Sequence, residues 1–287
     1  MARLGIIGGS GLYQIDTLEI LNEIDLDTPF GKPSDVFTLG KLSDQEIVFL
    51  PRHGRGHRLI PSQVNYRANI YGMKQLGVRW LLSVSAVGSL REDYHPMDLV
   101  VIDQFFDRTN QGRSNTFFGD GIVAHIPFAQ PLCPDLRHAV FQAGQESGAS
   151  MKWGGTYLNM EGPAFSTLAE SQTYRRWGMD VIGMTQMSEA RLAREAEICY
   201  VTLAMVTDFD CWHEAETGMT VSVKAIIEYL HKNAANAKEI IRRMVQRIPF
   251  HSQCTCQNAL RGAIITDRSV WPQATITKLG PLLEKYL

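Results

Sequence analysis

The sequence contains no run of about 18 apolar residues, which excludes a membrane-spanning helix of the usual length. It has no block of Lys or Arg, and its net charge is only −2, so nothing in it asks for a nucleic-acid partner. The opening MARLGIIGGSGLYQ breaks into glycines too early for a secretory leader, and a cytoplasmic protein is expected. Repeats, low-complexity tracts and linkers are also missing. The 287 residues, 45% of them hydrophobic, suit one globular domain. Cysteine is sparse and odd in number: Cys133, Cys199, Cys211, Cys254 and Cys256. That is no disulfide framework. Cys254-Thr255-Cys256 reads as reduced thiols, with a vicinal redox pair or a disulfide to Cys199 as alternatives. No metal is expected, because no second cysteine pair or spaced histidine pair accompanies it.

What is present alternates between two periods. RLGIIGG, EIVFLP, RWLLSVSA, DLVVID, DVIGM and EICYVTLAMVTD are short, rich in Val, Ile and Leu, and apolar on both faces, as strands covered by helices on each side are. Residues 62–76 read as a helix with Ser62 as N-cap and Gly77 at its end. Residues 134–147, 167–177, 187–196 and 221–247 also carry helical spacing, the last with Val223, Ile227, Leu230, Ala234, Ala237, Ile241 and Met244 on one face. Residues 107–130 lack period and are expected to form a long loop. The pattern predicts a single α/β domain with a central mixed β-sheet flanked by helices.

Several strand ends carry polar or small groups, where open α/β sheets bind ligands. Gly8-Gly9-Ser10-Gly11 misses a glycine of the dinucleotide fingerprint in either register. A tight turn with exposed N–H groups and a hydroxyl remains, suited to an anion. Arg52, His53, Arg55, His57 and Arg58 crowd the next strand end, where Arg forks match phosphate oxygens and Gly54 and Gly56 allow close approach. Ser85-Ala86, Glu161-Gly162-Pro163 with Phe165 and Ser166, and Met184-Thr185 mark three more strand ends. VTDFDC places Asp208 and Asp210 two apart at the end of an apolar strand, on one face if the strand is regular.

GIIGGSGLY, RHGRGHRLIPSQVNYRANI, SAVGSLRE, DQFFDRT, EGPAFSTLAES, WGMDVIGMT and TDFDCW occur in an order that resembles the trimeric purine nucleoside phosphorylases, and among them the 5′-methylthioadenosine phosphorylases. The likeness spans about 80% of the chain and fades over the C-terminal 30 or so residues. It implies one nucleoside phosphorylase domain over residues 1–287, a homotrimer, and phosphorolysis of methylthioadenosine to adenine and 5-methylthioribose 1-phosphate. Inorganic phosphate would be a co-substrate, with no cofactor. Carried over motif by motif, Ser10, Arg52, His53, Ser85, Ala86 and Thr185 would hold phosphate. Met184 would lie under the ribose, Phe165 and Ser166 would line the base pocket, and His125 would reach the methylthio group in a neighbouring subunit. Val221 or Val223 would supply apolar surface for that group. Two positions depart from the pattern. Ala164 stands where relatives commonly have Arg, and Gly183 where many methylthioadenosine enzymes have Asn.

A 6-aminopurine offers an N–H₂ donor at C6 and basic acceptors at N1 and N7. The expectation is that Asp208 protonates N7 while Asp210 accepts from the amino group, with like charge raising one carboxyl pKa. The alternative is a 6-oxopurine or methylthioinosine phosphorylase of the same fold, which the acidic pair disfavours.

Overall fold

Strands that are apolar on both faces need cover on both faces, and the fold provides it. The computed structural model describes residues 3–12, 15–16, 18–218, 223–248 and 254–287. In chain order the elements are β1 (Arg3–Gly8), β2 (Glu19–Ile24), β3 (Phe37–Leu42), β4 (Gln45–Pro51), α1 (Tyr66–Gln75), β5 (Val78–Ser89), β6 (Leu99–Val101), β7 (Gln104–Arg108), α2 (Pro134–Ser147), β8 (Met151–Trp153), β9 (Thr156–Met160), α3 (Leu168–Arg176), β10 (Val181–Gly183), α4 (Gln186–Glu195), β11 (Cys199–Phe209), α5 (Trp212–Thr217), α6 (Val223–Met244) and α7 (Gln273–Leu279).

The strands form one mixed 11-stranded sheet in the order β2-β3-β4-β1-β5-β10-β9-β7, with β11 joining β5 to β6 and β8. β5 is the hinge of this sheet. Its first half lies parallel between β1 and β11, and its last two residues pair antiparallel with β10. Alternate residues of β11 enter different cores. Tyr200, Ala204 and Val206 face the side covered by α1 and α4. Cys199, Val201, Leu203 and Met205 face the side covered by α2 and α6. The parallel ends of β1, β4, β5 and β11 come together at one edge of the sheet, and the candidate site is built there.

The expected strands and helices all occur, with corrections. β2, β3, β7 and β8 lack a signal: β2 is mostly exposed and β8 has only three residues. β7 takes the first two residues of the segment expected to be loop. α1 starts later than predicted, because Asn65 is its cap. The Asn65 side chain accepts from Ala68 N and donates to the Phe30 carbonyl. Thr167 caps α3 in a reciprocal pair with Glu170. Along α6, Ala234, Ala237, Ile241 and Met244 are buried, yet Ile227 is 48% exposed. Leu230 lies against Gly11, so the first turns of this helix extend past the sheet and flank the turn after β1. Among the described residues no helix is long and apolar enough to cross a membrane.

Candidate active site

The basic turn after β4 divides into two parts. Arg55 and Arg58 pair outward with Glu23 and Asp35. Arg52 and His53 turn inward and are buried. Arg52 donates to both oxygens of Glu189, to Ser83 Oγ and to the Val84 carbonyl. Burial works against its charge, but Glu189 more than restores it and holds the guanidinium above the usual arginine range. One Nη1 hydrogen is left over from this set. A Cβ on Gly9 would lie 2.7 Å from Arg52 Nη1 and 2.5 Å from the Val84 carbonyl. The glycine after β1 is therefore required for that turn to close over Arg52, which brings Ser10 to the same sheet edge.

His53 stacks on His57 with ring centroids 4.5 Å apart. Its Nδ1 lies 2.8 Å from the Leu59 carbonyl. That oxygen only accepts, so Nδ1 carries the proton and Nε2 is an acceptor. Burial, then the charge of Arg52, lower the ring's pKa to about 4, so it is neutral at physiological pH. Ser85 Oγ lies 3.3 Å from Tyr157 Oη, and the Thr185 backbone lies close enough to the same phenol to oppose, in part, the burial that raises its pKa. Tyr157 thus ties the end of β5 to the start of α4. The Cβ of any side chain at position 183 would fall 1.9 Å from Tyr157 Oη, so with Tyr157 in this place the position requires glycine.

The carboxylates lie one step further along β5. The pairing of β11 with β5 slips between Val206 and Asp208, a β-bulge that sets Asp208 opposite Gly88. Asp210 falls just past the strand, its N–H bonded to the Ser89 carbonyl at 2.9 Å. Thus a bulge and a strand end, rather than a regular period of two, aim the pair. Asp208 accepts from Thr207 Oγ1 at 2.6 Å. Its pKa is raised to about 6, first by burial and only then by the charge of Asp210. The expected like-charge effect is present but secondary. Asp210 accepts from Ser166 Oγ at 2.8 and 2.7 Å, which joins the segment before α3 to the acidic pair.

Other expected residues sit more loosely. Met184 packs against Gly162, whose φ of +70° leaves no room for a Cβ beside the Met184 sulfur. Phe165 is 84% exposed. His125 is exposed, with its N–H bonded to the Ala263 carbonyl on the C-terminal segment, and it takes no part in the strand-end cluster. Val221 and the side chain of Val223 lie outside the described residues. Four residues that hold the site together escaped sequence reading: Ser83, Tyr157, Glu189 and Arg113. Glu189 had a weak signal, an acid four residues past a strand–helix junction. Arg113, on the long loop, donates to Glu161 Oε1 at 2.9 Å, the Glu161 carbonyl at 2.7 Å and the Met184 carbonyl at 2.5 Å. It fixes two strand ends at once, and nothing local marks it. The two partners that the Cys254–Cys256 pair lacks in sequence are supplied by the fold: Cys133 and Cys199 lie beside it.

Hydroxyls and the buried Arg52 at a parallel sheet edge, with a carboxylate of raised pKa on the neighbouring strand β11 opposite a residue two positions further along β5, form an arrangement that could cradle an anion near a group that needs a proton. Residues 3–246 match the family model of the phosphorylase superfamily. The chain is 56% identical over 284 residues to the S-methyl-5′-thioadenosine phosphorylase of Geobacter sulfurreducens, covering 99% of each chain. It is 54% identical to that of Gloeobacter violaceus, covering 99% of this chain and 96% of the other. A crystal structure of methylthioadenosine phosphorylase from an antarctic soil metagenomic library superimposes with a TM-score of 0.91 at 48% identity, covering 98% of this chain and 99% of that one. Methylthioadenosine phosphorylase from Schistosoma mansoni in complex with adenine gives 0.86 at 35% identity, covering 94% and 100%. The chain belongs to the phosphorylase superfamily and, within it, to the S-methyl-5′-thioadenosine phosphorylases.

Proposed function

We propose that the protein cleaves S-methyl-5′-thioadenosine with inorganic phosphate, releasing adenine and 5-methylthioribose 1-phosphate. The observation that supports this reading is the order of residues along β5 and its neighbour β11. Ser85 and Ala86 stand at the cradle, and Gly88 stands opposite Asp208. Ala86 and Gly88 are two residues apart, about 7 Å along a strand, which leaves room for one pentose between an anion and a base.

In this mechanism, phosphate takes the remaining Arg52 N–H and the donors of Ser10, Ser85, the Ala86 backbone and Thr185. Its own O–H donates to His53 Nε2. Asp208, protonated, gives its proton to purine N7 as the C1′–N9 bond breaks. The bonding electrons stay with the purine, which leaves as neutral adenine. A phosphate oxygen then bonds to C1′, whose oxocarbenium character the nearby anion stabilises. Asp210, oriented by Ser166, accepts from the 6-amino group. Phe165 and Met184 supply apolar contact to base and ribose, and the start of α6 supplies it to the methylthio group.

The resemblance and the exposed position of His125 support a homotrimer in which that residue serves a neighbour's site; light scattering would test the assembly. No disulfide links the five cysteines, in keeping with a reducing compartment such as the cytoplasm. Returning adenine and a ribose 1-phosphate suits a role in purine and methionine salvage. The deciding assay compares base release from methylthioadenosine and methylthioinosine, with and without phosphate. Adenine release that requires phosphate is expected. Equal cleavage in phosphate-free buffer, or preference for the inosine analogue, would overturn the reading.

A further inference from the structure

Four of the five cysteines meet in one place. Cys133 caps α2 and Cys199 opens β11, while Cys254 and Cys256 lie on the turn that leads into the C-terminal segment. The backbone fixes the first two: Cys133 N donates to the Tyr200 carbonyl at 2.9 Å, and Cys199 pairs in register with Trp80 of β5. All four are buried in the core between the sheet and the α2–α6 layer. Their Sγ atoms lie within 4.8 Å of one another.

Core packing alone does not ask for this. A thiol is a weak donor and acceptor, and a core is filled as well by Val or Ala. The Cys133 and Cys254 sulfurs are 3.5 Å apart, whereas a disulfide requires about 2.0 Å. A tetrahedral zinc ion with Zn–S bonds of about 2.3 Å spaces its sulfurs by about 3.8 Å. Separations of no more than 4.8 Å exceed that spacing by about an ångström at most. An outer partner is also in place. Gln257 Nε2 donates to Cys199 Sγ at 3.6 Å, while Gln257 Oε1 accepts from Arg79 Nη2. Such contacts orient metal ligands, and Arg79 brings positive charge toward an anionic tetrathiolate.

We propose that Cys133, Cys199, Cys254 and Cys256 form a tetrathiolate site for a structural zinc ion, which clamps the C-terminal segment onto the sheet. Four protein ligands leave no open coordination position, so the ion takes no part in the reaction. Its consequence is positional. Downstream of the clamp, Leu260 N donates to Glu197 Oε1 at 3.1 Å, and Ala263 and Ile264 pair with His125 and Ala124. The clamp therefore holds the strip on which the exposed His125 segment rests.

The test uses the full-length, tag-free protein, produced in zinc-supplemented medium and purified without chelator under anaerobic reducing conditions. Elemental analysis is expected to find one zinc per chain, released by a mercurial thiol reagent with exposure of four titratable cysteines. Cobalt added to metal-stripped protein is expected to give the strong visible bands of a tetrahedral thiolate site. The double variant C254S/C256S is expected to lose the zinc. Should it fail to fold, the wild-type zinc and cobalt measurements decide alone. Substoichiometric zinc with four freely reactive thiols would overturn the proposal. So would disulfides among these residues in peptide mapping, or cobalt binding without thiolate bands. Hydrogen exchange across residues 254–265 is expected to rise on metal removal while β1 and β5 stay protected, and unchanged exchange would refute the clamp.

Discussion

Replacing Asp208 by Asn separates the chemistry of this carboxyl from its shape. The side chain keeps its size and can still donate a hydrogen bond, but it cannot release a proton. In the native chain the pKa of Asp208 is raised from an ordinary 3.8 to about 6, chiefly by burial. At pH 7 that keeps roughly a tenth of the carboxyl protonated, where an unperturbed aspartate would hold about a thousandth. General-acid assistance typically contributes ~10²–10⁴-fold. The Asp208→Asn variant is therefore expected to lose at least ~10² in kcat with methylthioadenosine, with little change in the KM for phosphate. The wild-type kcat should fall as pH rises above the apparent pKa of this group in the complex, and that limb should vanish in the variant. Stability should move the other way. Because the folded state binds this proton more tightly than the unfolded chain, the carboxyl costs nothing below about pH 3.8. The penalty grows as pH rises towards 6 and is then complete, at up to about 3 kcal/mol for a shift of this size. Thermal unfolding at pH 7.5 should show Asp208→Asn more stable than the parent, with the gap closing near pH 4. The assay is adenine release at saturating phosphate across pH, paired with calorimetry of both proteins. A variant that keeps kcat within about threefold of the parent falls far short of the lower bound for a general acid and would remove Asp208 from that role.

Three further predictions concern the scaffold. Glu189→Gln leaves the Arg52 guanidinium, 1% exposed, without a counter-charge; a stability loss of about 3–5 kcal/mol is expected together with a raised KM for phosphate, read by denaturant titration and kinetics. Gly183→Ala forces Tyr157 aside, at about 1–3 kcal/mol; adding Tyr157→Phe should recover part of the stability but not the phosphate affinity, because the phenol that links Ser85 to Thr185 is gone. His53 has its folded pKa lowered from 6.5 to about 4. Its stabilising contribution is present above pH 6.5 and lost as pH falls through 4, so urea midpoints of His53→Gln should depend less steeply on pH across that window than those of the parent.

Much of the site was legible because its residues sit at strand ends, and strand ends can be read from short apolar runs followed by small or polar residues. Ser10, Arg52, Ser85, Thr185 and Asp208 each follow such a run. What could not be read was what those side chains are bonded to. Arg52 read as a fork for phosphate oxygens at a strand end, but most of that fork is engaged within the protein, chiefly by Glu189, which lies 137 residues away. Asp210 looked like half of a like-charged pair, but Ser166 from another segment occupies it. Asn65 took the capping role predicted for Ser62 because its amide reaches both the helix and the Phe30 carbonyl, a contact with no local signature.

Local composition and periodicity by themselves determined the α/β class, the two-faced sheet and the polar strand ends, because burial on each face and turn chemistry at each strand end are short-range properties; the roles expected of the residues there came from the family resemblance. Only the tertiary structure decided the protonation of Asp208 and the neutrality of His53, since both depend on burial and on charges contributed by other parts of the chain. It alone gathered four scattered cysteines around one point. The strand pairing and helix packing that brought them there are set by contacts distant in sequence, and no spacing along the chain encodes such contacts.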